Sequence, residues 1–213
     1  MDPASRHQCL IYEGAPSRHL PAVAAVIRQK LSQNHRCLYL NSQPMVAGMR
    51  SYLAAAGVDV ADVTAKTSLV LSSDLLHLDG ECHFDMDRML ETLQSALEQA
   101  LKDGYEGLWA TGDMTWELGP DQDFSKLLEY ECRLEEFLRE NPRMGGICQY
   151  HVDTVSRKAV RQSVLTHPSI FINETLSMLN PIYRYPDSFT AARTPGPELD
   201  SFVNRVLKHE GAI

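Results

Sequence analysis

The sequence predicts an α/β fold, a three-layer doubly wound domain built on a mainly parallel sheet of five to six strands. Short apolar runs alternate with longer segments of helical periodicity along most of the 213 residues. Strands separated by helices pair in parallel through right-handed crossovers, which places helices on both faces of the sheet. The composition, 44% hydrophobic and 23% charged, is that of a globular chain long enough to bury one core.

Taken in order, Cys9-Leu-Ile-Tyr12 reads as the first strand. Leu20, Val23, Ala24, Ile27 and Leu31 then recur at helical spacing. Arg36-Cys-Leu-Tyr-Leu40 is the second strand, followed by a helix with Met45, Val46, Met49, Tyr52, Leu53 and Ala56 on one face and Gly57 placed to stop it. Ser68-Leu-Val-Leu71 is the third strand. Met89, Leu90, Leu93, Leu97 and Leu101 mark the next helix, with Asp85 or Asp87 as its cap and Gly104 at its end. Gly107-Leu-Trp-Ala-Thr111 gives the fourth strand, and Phe124, Leu127, Leu128, Leu134 and Leu138 a helix that ends before Asn141-Pro142. Gly146-Ile-Cys-Gln-Tyr150 is the fifth strand and Ser169-Ile-Phe-Ile172 an edge strand. A Pro-rich connection over 181–197 leads to an amphipathic helix carrying Leu199, Phe202, Val203, Val206 and Leu207.

Charge and cysteines narrow the class. A formal charge of -8 is the wrong sign for a protein that neutralises phosphates, so direct nucleic-acid binding is not expected. No signal-peptide succession or membrane-length apolar stretch is read, and five cysteines without a CxxC pair suit a reducing compartment; the expected location is cytoplasmic.

In such a sheet the ligand crevice lies outside the carboxyl ends of the strands. The loop Tyr12-Glu-Gly-Ala-Pro-Ser-Arg-His19 stands where a nucleotide-binding protein carries its phosphate loop. It has one Gly, no Gly-Lys-Ser/Thr and a carboxylate at Glu13, so it reads as a turn with Ser17 as helix cap. Asp113, in Thr111-Gly-Asp-Met-Thr-Trp116, could hold Mg²⁺ or cap the next turn; Trp116 could wall a ligand or cover the sheet end. Gln149 and Tyr150 leave the fifth strand toward the same place. Glu131 falls about 40° from the centre of its helix's apolar stripe and therefore needs a buried partner or a pocket role. His77-Leu-Asp-Gly-Glu-Cys-His83 is dense in possible ligands, but its spacing matches no structural zinc pattern, and no metal is expected.

Eight segments in order resemble one family. His7-Gln-Cys-Leu-Ile-Tyr12, Ala56-Gly-Val-Asp59, Phe84-Asp85 with Met89, Gly104-Tyr-Glu-Gly-Leu108, Gly112-Asp-Met-Thr-Trp116, Leu127-Leu-Glu-Tyr-Glu131 with Arg133, Cys148-Gln-Tyr150 and Thr166-His-Pro168 are similar to the MEDS domain, the methanogen/methylotroph, DcmR sensory domain, over residues 6–187. The resemblance implies a RecA/KaiC-like fold without a functional phosphate loop. It also implies a signal-sensing module, found with histidine kinases, anti-sigma systems and transcriptional repressors that respond to small organic compounds. The chain departs from the pattern at Asp85-Met86, where members often have Asp-Pro. No kinase or helix-turn-helix region is read beside the domain, so its output is expected to run through a separate partner or the last helix.

The expectation is a non-catalytic sensory domain over residues 1–187. The connection and helix of 188–213 belong to it or form a partner or dimer contact. A small organic ligand would sit at the carboxyl edge of the sheet among His7, Tyr12, Glu13, Asp113, Trp116, Glu131, Gln149 and Tyr150, with no cofactor and no membrane contact. Its signal would pass to a histidine kinase or a transcription or anti-sigma regulator. The alternatives are a divergent nucleotide-binding, ATPase-like enzyme with Asp113 on Mg²⁺, and an interaction scaffold whose crevice is filled by its own side chains.

Overall fold

Strand runs whose every position is apolar or able to hydrogen-bond suit a sheet covered on both sides. The computed structural model describes residues 6–74, 78, 83–117, 126–184 and 196–210. In it β1 (His7–Tyr12), β2 (His35–Leu40), β3 (Leu69–Ser72), β4 (Gly107–Asp113), β5 (Met144–His151) and β6 (Ser169–Asn173) run parallel. A seventh strand, β7 (Leu176–Leu179), pairs antiparallel with β6, and the order is β3-β2-β4-β5-β1-β6-β7.

Helices cover both faces, as three layers require. Side chains alternate across each strand with period two. Leu10, Tyr12, Cys37, Tyr39, Trp109 and Ile147 face α1 (Leu20–Ser32), α2 (Gln43–Ala55) and α3 (Val60–Ala65). Cys9, Ile11, Leu38, Leu108, Cys148 and Tyr150 face α4 (Met86–Lys102), α6 (Leu127–Glu140), α7 (Arg157–Thr166) and α8 (Gly196–Glu210). A single turn, α5 (Met114–Glu117), follows β4 directly.

Local chemistry sets the boundaries. Asp85 caps α4 by accepting from the Arg88 N–H, and Ser156 caps α7 by accepting from the Ala159 N–H. Gly104 ends α4 at a φ of +85°, a conformation that a side chain would strain. Gly146 is glycine for a different reason: a Cβ there would lie 2.1 Å from the Ala110 carbonyl oxygen on β4.

Several expectations are corrected. Among the described residues the sheet has seven strands rather than five to six, and β6 lies inside an edge formed by β7. The β7 segment has three exposed positions and lacks the buried alternation that marks a strand. Two helices escape the periodicity reading: α3 is under two turns long, and the stripe of α7 is diluted by Ser163 and Thr166, both buried. Ser17 makes no cap; it sits inside a 3-10 turn over Pro16–His19 whose N-cap is Ala15. Phe124 and most of the Pro-rich connection lie outside the described residues.

The last helix docks on its own domain. Leu199, Phe202 and Val206 are buried in the same core as β1 and α7, and the Arg161 guanidinium on α7 donates to both carboxylate oxygens of Asp200 at 2.9 and 2.6 Å. We expect Phe202→Ala to lower unfolding stability by about 3–5 kcal/mol, read from urea denaturation, because truncating a buried aromatic leaves a cavity. An unchanged midpoint would mean that α8 does not hold the core.

Candidate functional site

The sequence-predicted residues separate onto the two faces of the sheet. Tyr12, Asp113 and His151 end the adjacent strands β1, β4 and β5 at the carboxyl edge. There the Tyr12 hydroxyl donates to Asp113 Oδ2 at 3.2 Å, and its ring stacks on His151 with centroids 4.9 Å apart. His19 closes on the same ring at 4.6 Å. Burial, with Arg18 and His151 nearby, pulls the His19 pKa down to about 4, so this imidazole is neutral. Gln149 donates to Thr111 Oγ1 at 2.8 Å. Glu13 is exposed, and Trp116 lies in α5 with its side chain outside the described residues. The Gly14 N–H donates to Asp153 Oδ2 at 2.9 Å, so a carboxylate occupies the backbone donor that a phosphate loop would offer its ligand.

His7, Glu131 and Tyr150 meet elsewhere, beneath α6 on the face covered by α4, α6, α7 and α8. Glu131 is completely buried, and so are its neighbours. His7 Nε2 lies 3.3 Å from Glu131 Oε2, while His7 Nδ1 donates to Glu135 Oε2 at 2.9 Å. The Tyr150 hydroxyl donates to Glu131 Oε1, and the Tyr183 hydroxyl donates to Glu135 Oε1 at 2.9 Å. Cys148 Sγ is 3.6 Å from His7 Nε2 and 3.9 Å from Glu131 Oε2. His167, in the turn between α7 and β6, directs Nδ1 to the Ser163 carbonyl at 2.6 Å and stands with Nε2 3.5 Å from Glu131 Oε2, without a hydrogen bond.

The electrostatics of the cluster follow from its geometry. Burial pulls the His7 pKa down, but the hydrogen bonds to Glu131 and Glu135 overcome it and raise the value to about 9. Burial, together with the charge on His7, pulls the His167 pKa down to about 4. Burial pushes the Glu131 carboxyl up, yet His167, His7 and Tyr150 outweigh it and hold the carboxyl below its ordinary value. At neutral pH the protein alone therefore holds one imidazolium between two carboxylates, with the second imidazole neutral.

A small cavity adjoins this cluster. It has a volume of about 30 Å³ between α4, α6 and the centre of the sheet, and its lining includes His7, Cys148, Ala110, Gly112, Leu93 and Tyr130. The void exists because Ala110, Gly112 and Gly146 give the sheet almost no side-chain bulk beneath the helices.

Cys148, His167, Glu135 and Tyr183 were not singled out as site residues from the sequence. Glu135 was recoverable, since it lies one turn beyond Glu131 on the same helical face. His167 lies in Thr166-His-Pro168, one of the segments that carry the family resemblance, but the weak apolar period of α7 gives no signal that would place it beside Glu131. Of the stretch from His77 to His83, only Leu78 and His83 fall within the described residues, and Leu78 bridges to Phe84. Among the described residues no helix is long and apolar enough to cross a membrane.

Replacing Glu131 by Leu strands His7 and Tyr150 without their acceptor. We expect a loss of about 3–5 kcal/mol, the range for removing one partner of a buried pair. Glu131→Gln keeps the shape and part of the bonding, so its loss should be smaller; chemical denaturation of the two variants checks the order. Wild-type stability in Glu131→Leu would contradict the buried placement.

Comparison with known proteins bears on the same residues. The chain matches the family model described as the methanogen/methylotroph, DcmR sensory domain over residues 6–168, a span that includes His7, Glu131, Cys148 and His167. It is 26% identical over 165 residues to the transcriptional repressor DcmR of Methylorubrum extorquens, an alignment covering 78% of this chain and 59% of the repressor. The chain thus spans less than two-thirds of that relative's length. With most of its sequence matched by the family model, the chain belongs to the MEDS family of sensory domains.

Proposed function

We propose that this domain senses a very small organic molecule held between the sheet and helices α4 and α6, and passes its occupancy to a regulatory partner. The observation that carries this reading is the cavity of about 30 Å³ beside His7 and Cys148. Its volume corresponds to about two water-sized spheres, its walls are mostly apolar, and its polar groups include His7 and Cys148. That combination suits a molecule of one to three heavy atoms with one polar end. The carboxyl edge is the weaker location, because Tyr12, Asp113 and His151 already engage one another there.

Transmission follows from α6. One side of this helix lines the cavity with Tyr130, Leu134 and Leu138, while Glu131 and Glu135 reach the polar cluster. Helix α6 packs on α7, and α7 on α8. A ligand that favours one seating of α6 would bias α7 and α8 with it, as any ligand shifts an equilibrium between two conformations that it binds unequally. The partner in this reading is a transcription, anti-sigma or histidine-kinase protein, in keeping with the repressor relative. The same reading takes the fold as RecA/KaiC-like with its phosphate site lost.

Titration of the isotope-labelled chain with xenon and with one- to three-carbon alcohols and thiols tests the ligand site. Amide and methyl shifts should concentrate at Ala110, Leu93 and Tyr130. Ala110→Val, which adds two methyl groups to the cavity wall, should abolish them. No shift with any probe, or the same shifts in Ala110→Val, would remove the cavity as the ligand site.

The loop after β1 generates a second expectation. With Glu13 exposed and the Gly14 N–H committed to Asp153, millimolar ATP with Mg²⁺ should leave the melting temperature unchanged, since only a ligand of the native state raises stability. A clear rise that disappears in Asp113→Ala would favour a nucleotide-binding enzyme.

A further inference from the structure

The cluster beneath α6 is built like a coordination site. Four atoms from four separate segments, His7 Nε2, Glu131 Oε2, Cys148 Sγ and His167 Nε2, lie within 4.8 Å of one another, and all four residues are buried. We propose that they bind a single divalent transition-metal ion, of which zinc fits best.

Four of the six ligand-to-ligand edges are close to those of a tetrahedron, and all six are within 4.8 Å. Zinc at the usual distances, about 2.0–2.1 Å to nitrogen, about 2.0–2.2 Å to oxygen and about 2.3 Å to sulfur, gives ligand-to-ligand edges of about 3.3–3.6 Å. The contacts of Glu131 Oε2 with His7 Nε2 and His167 Nε2 are 3.3 and 3.5 Å, and Cys148 Sγ is 3.6 Å from His7 Nε2. The fourth contact, from Cys148 Sγ to Glu131 Oε2, is 3.9 Å and closes with a few tenths of an ångström of movement.

The surroundings orient each ligand as a metal requires. His7 Nδ1 is held by Glu135 and His167 Nδ1 by the Ser163 carbonyl, which leaves both Nε2 atoms facing the centre. Tyr150 occupies Glu131 Oε1, leaving Oε2 for the ion. His167 Nε2 is fully buried and makes no hydrogen bond, an omission that a metal bond would supply.

The charges also balance. A divalent ion with one carboxylate, one thiolate and two neutral imidazoles is neutral overall, a form that a buried site tolerates far better than isolated charges. Binding releases the Cys148 thiol proton and any proton on His7 Nε2 to solvent. Two imidazoles, a carboxylate and a thiolate at tetrahedral spacing suit zinc over the oxygen-seeking magnesium and calcium ions, and four protein ligands make the site closed and structural in type.

Metal content of the untagged full chain, purified without chelator, should be one zinc per chain. Replacing the ion with Co²⁺ should give the intense visible bands of a tetrahedral centre and a thiolate-to-cobalt charge-transfer band in the near ultraviolet. This readout needs no variant and therefore survives any folding defect. His167→Gln and Cys148→Ser should lose stoichiometric zinc in competition with a chromophoric chelator. Glu135→Gln, which keeps the ligand set and alters only the carboxylate that holds His7 Nδ1 and the Tyr183 hydroxyl, should weaken binding about 10–100-fold. A chain that takes up no zinc or cobalt, a cobalt spectrum without the thiolate band, or undiminished binding in both ligand variants would overturn the assignment. All measurements are made without organic ligand, so their failure leaves the cavity reading standing, and failure of the cavity titration leaves the metal site standing.

Discussion

Glu131 is a carboxylate without access to water, and the core around it is arranged to make that tolerable. Its partners arrive from β1 as His7, from β5 as Tyr150 and Cys148, and from the turn between α7 and β6 as His167. Each depends on sheet register or helix docking, so the cluster is complete only when β1, β5, α6 and α7 are all seated. Apolar side chains of the same volume would hold such a core at least as well, since desolvation consumes much of what buried charges return. The polar set is therefore better explained by what it can hold than by the stability it adds.

Next to this cluster the sheet is unusually bare. Gly146 cannot carry a side chain because β4 approaches too closely, and Ala110 and Gly112 continue the same shallow floor. Helices α4 and α6 span that floor and leave a void. His7 and Cys148 border the void and also belong to the cluster, so under the proposed reading a molecule in the void would contact groups of the cluster. Helix α6 touches both, which makes it the natural element to move.

The carboxyl edge of the sheet has a different character. Adjacent strands β1 and β5 send their chains to opposite faces there, the arrangement that opens a ligand crevice in doubly wound sheets. In this chain the edge is occupied by its own aromatic and acidic groups, with Tyr12 stacked on His151 and Asp153 on the Gly14 amide. What a phosphate would meet is a carboxylate on the nearest backbone donor.

The sequence by itself determined the α/β class, the parallel strands and the helices with full apolar stripes, because those features repeat at the period of a single element. Cys9-Leu-Ile-Tyr12 and the stripe of α4 could be read without knowing their neighbours. It also marked Glu131 as a carboxylate on an apolar helix face, which is a statement about one helix alone. The exposed edge of β7 and the diluted stripe of α7 carry no such period, so both waited for tertiary context. The grouping of His7 with Glu131, Cys148 and His167 was decided by the fold alone. These residues are up to 160 positions apart in sequence, and no spacing rule links them. Only the placement of β1 beside β5, with α6 and α7 across their shared face, brings two imidazoles, a thiol and a carboxylate to one point.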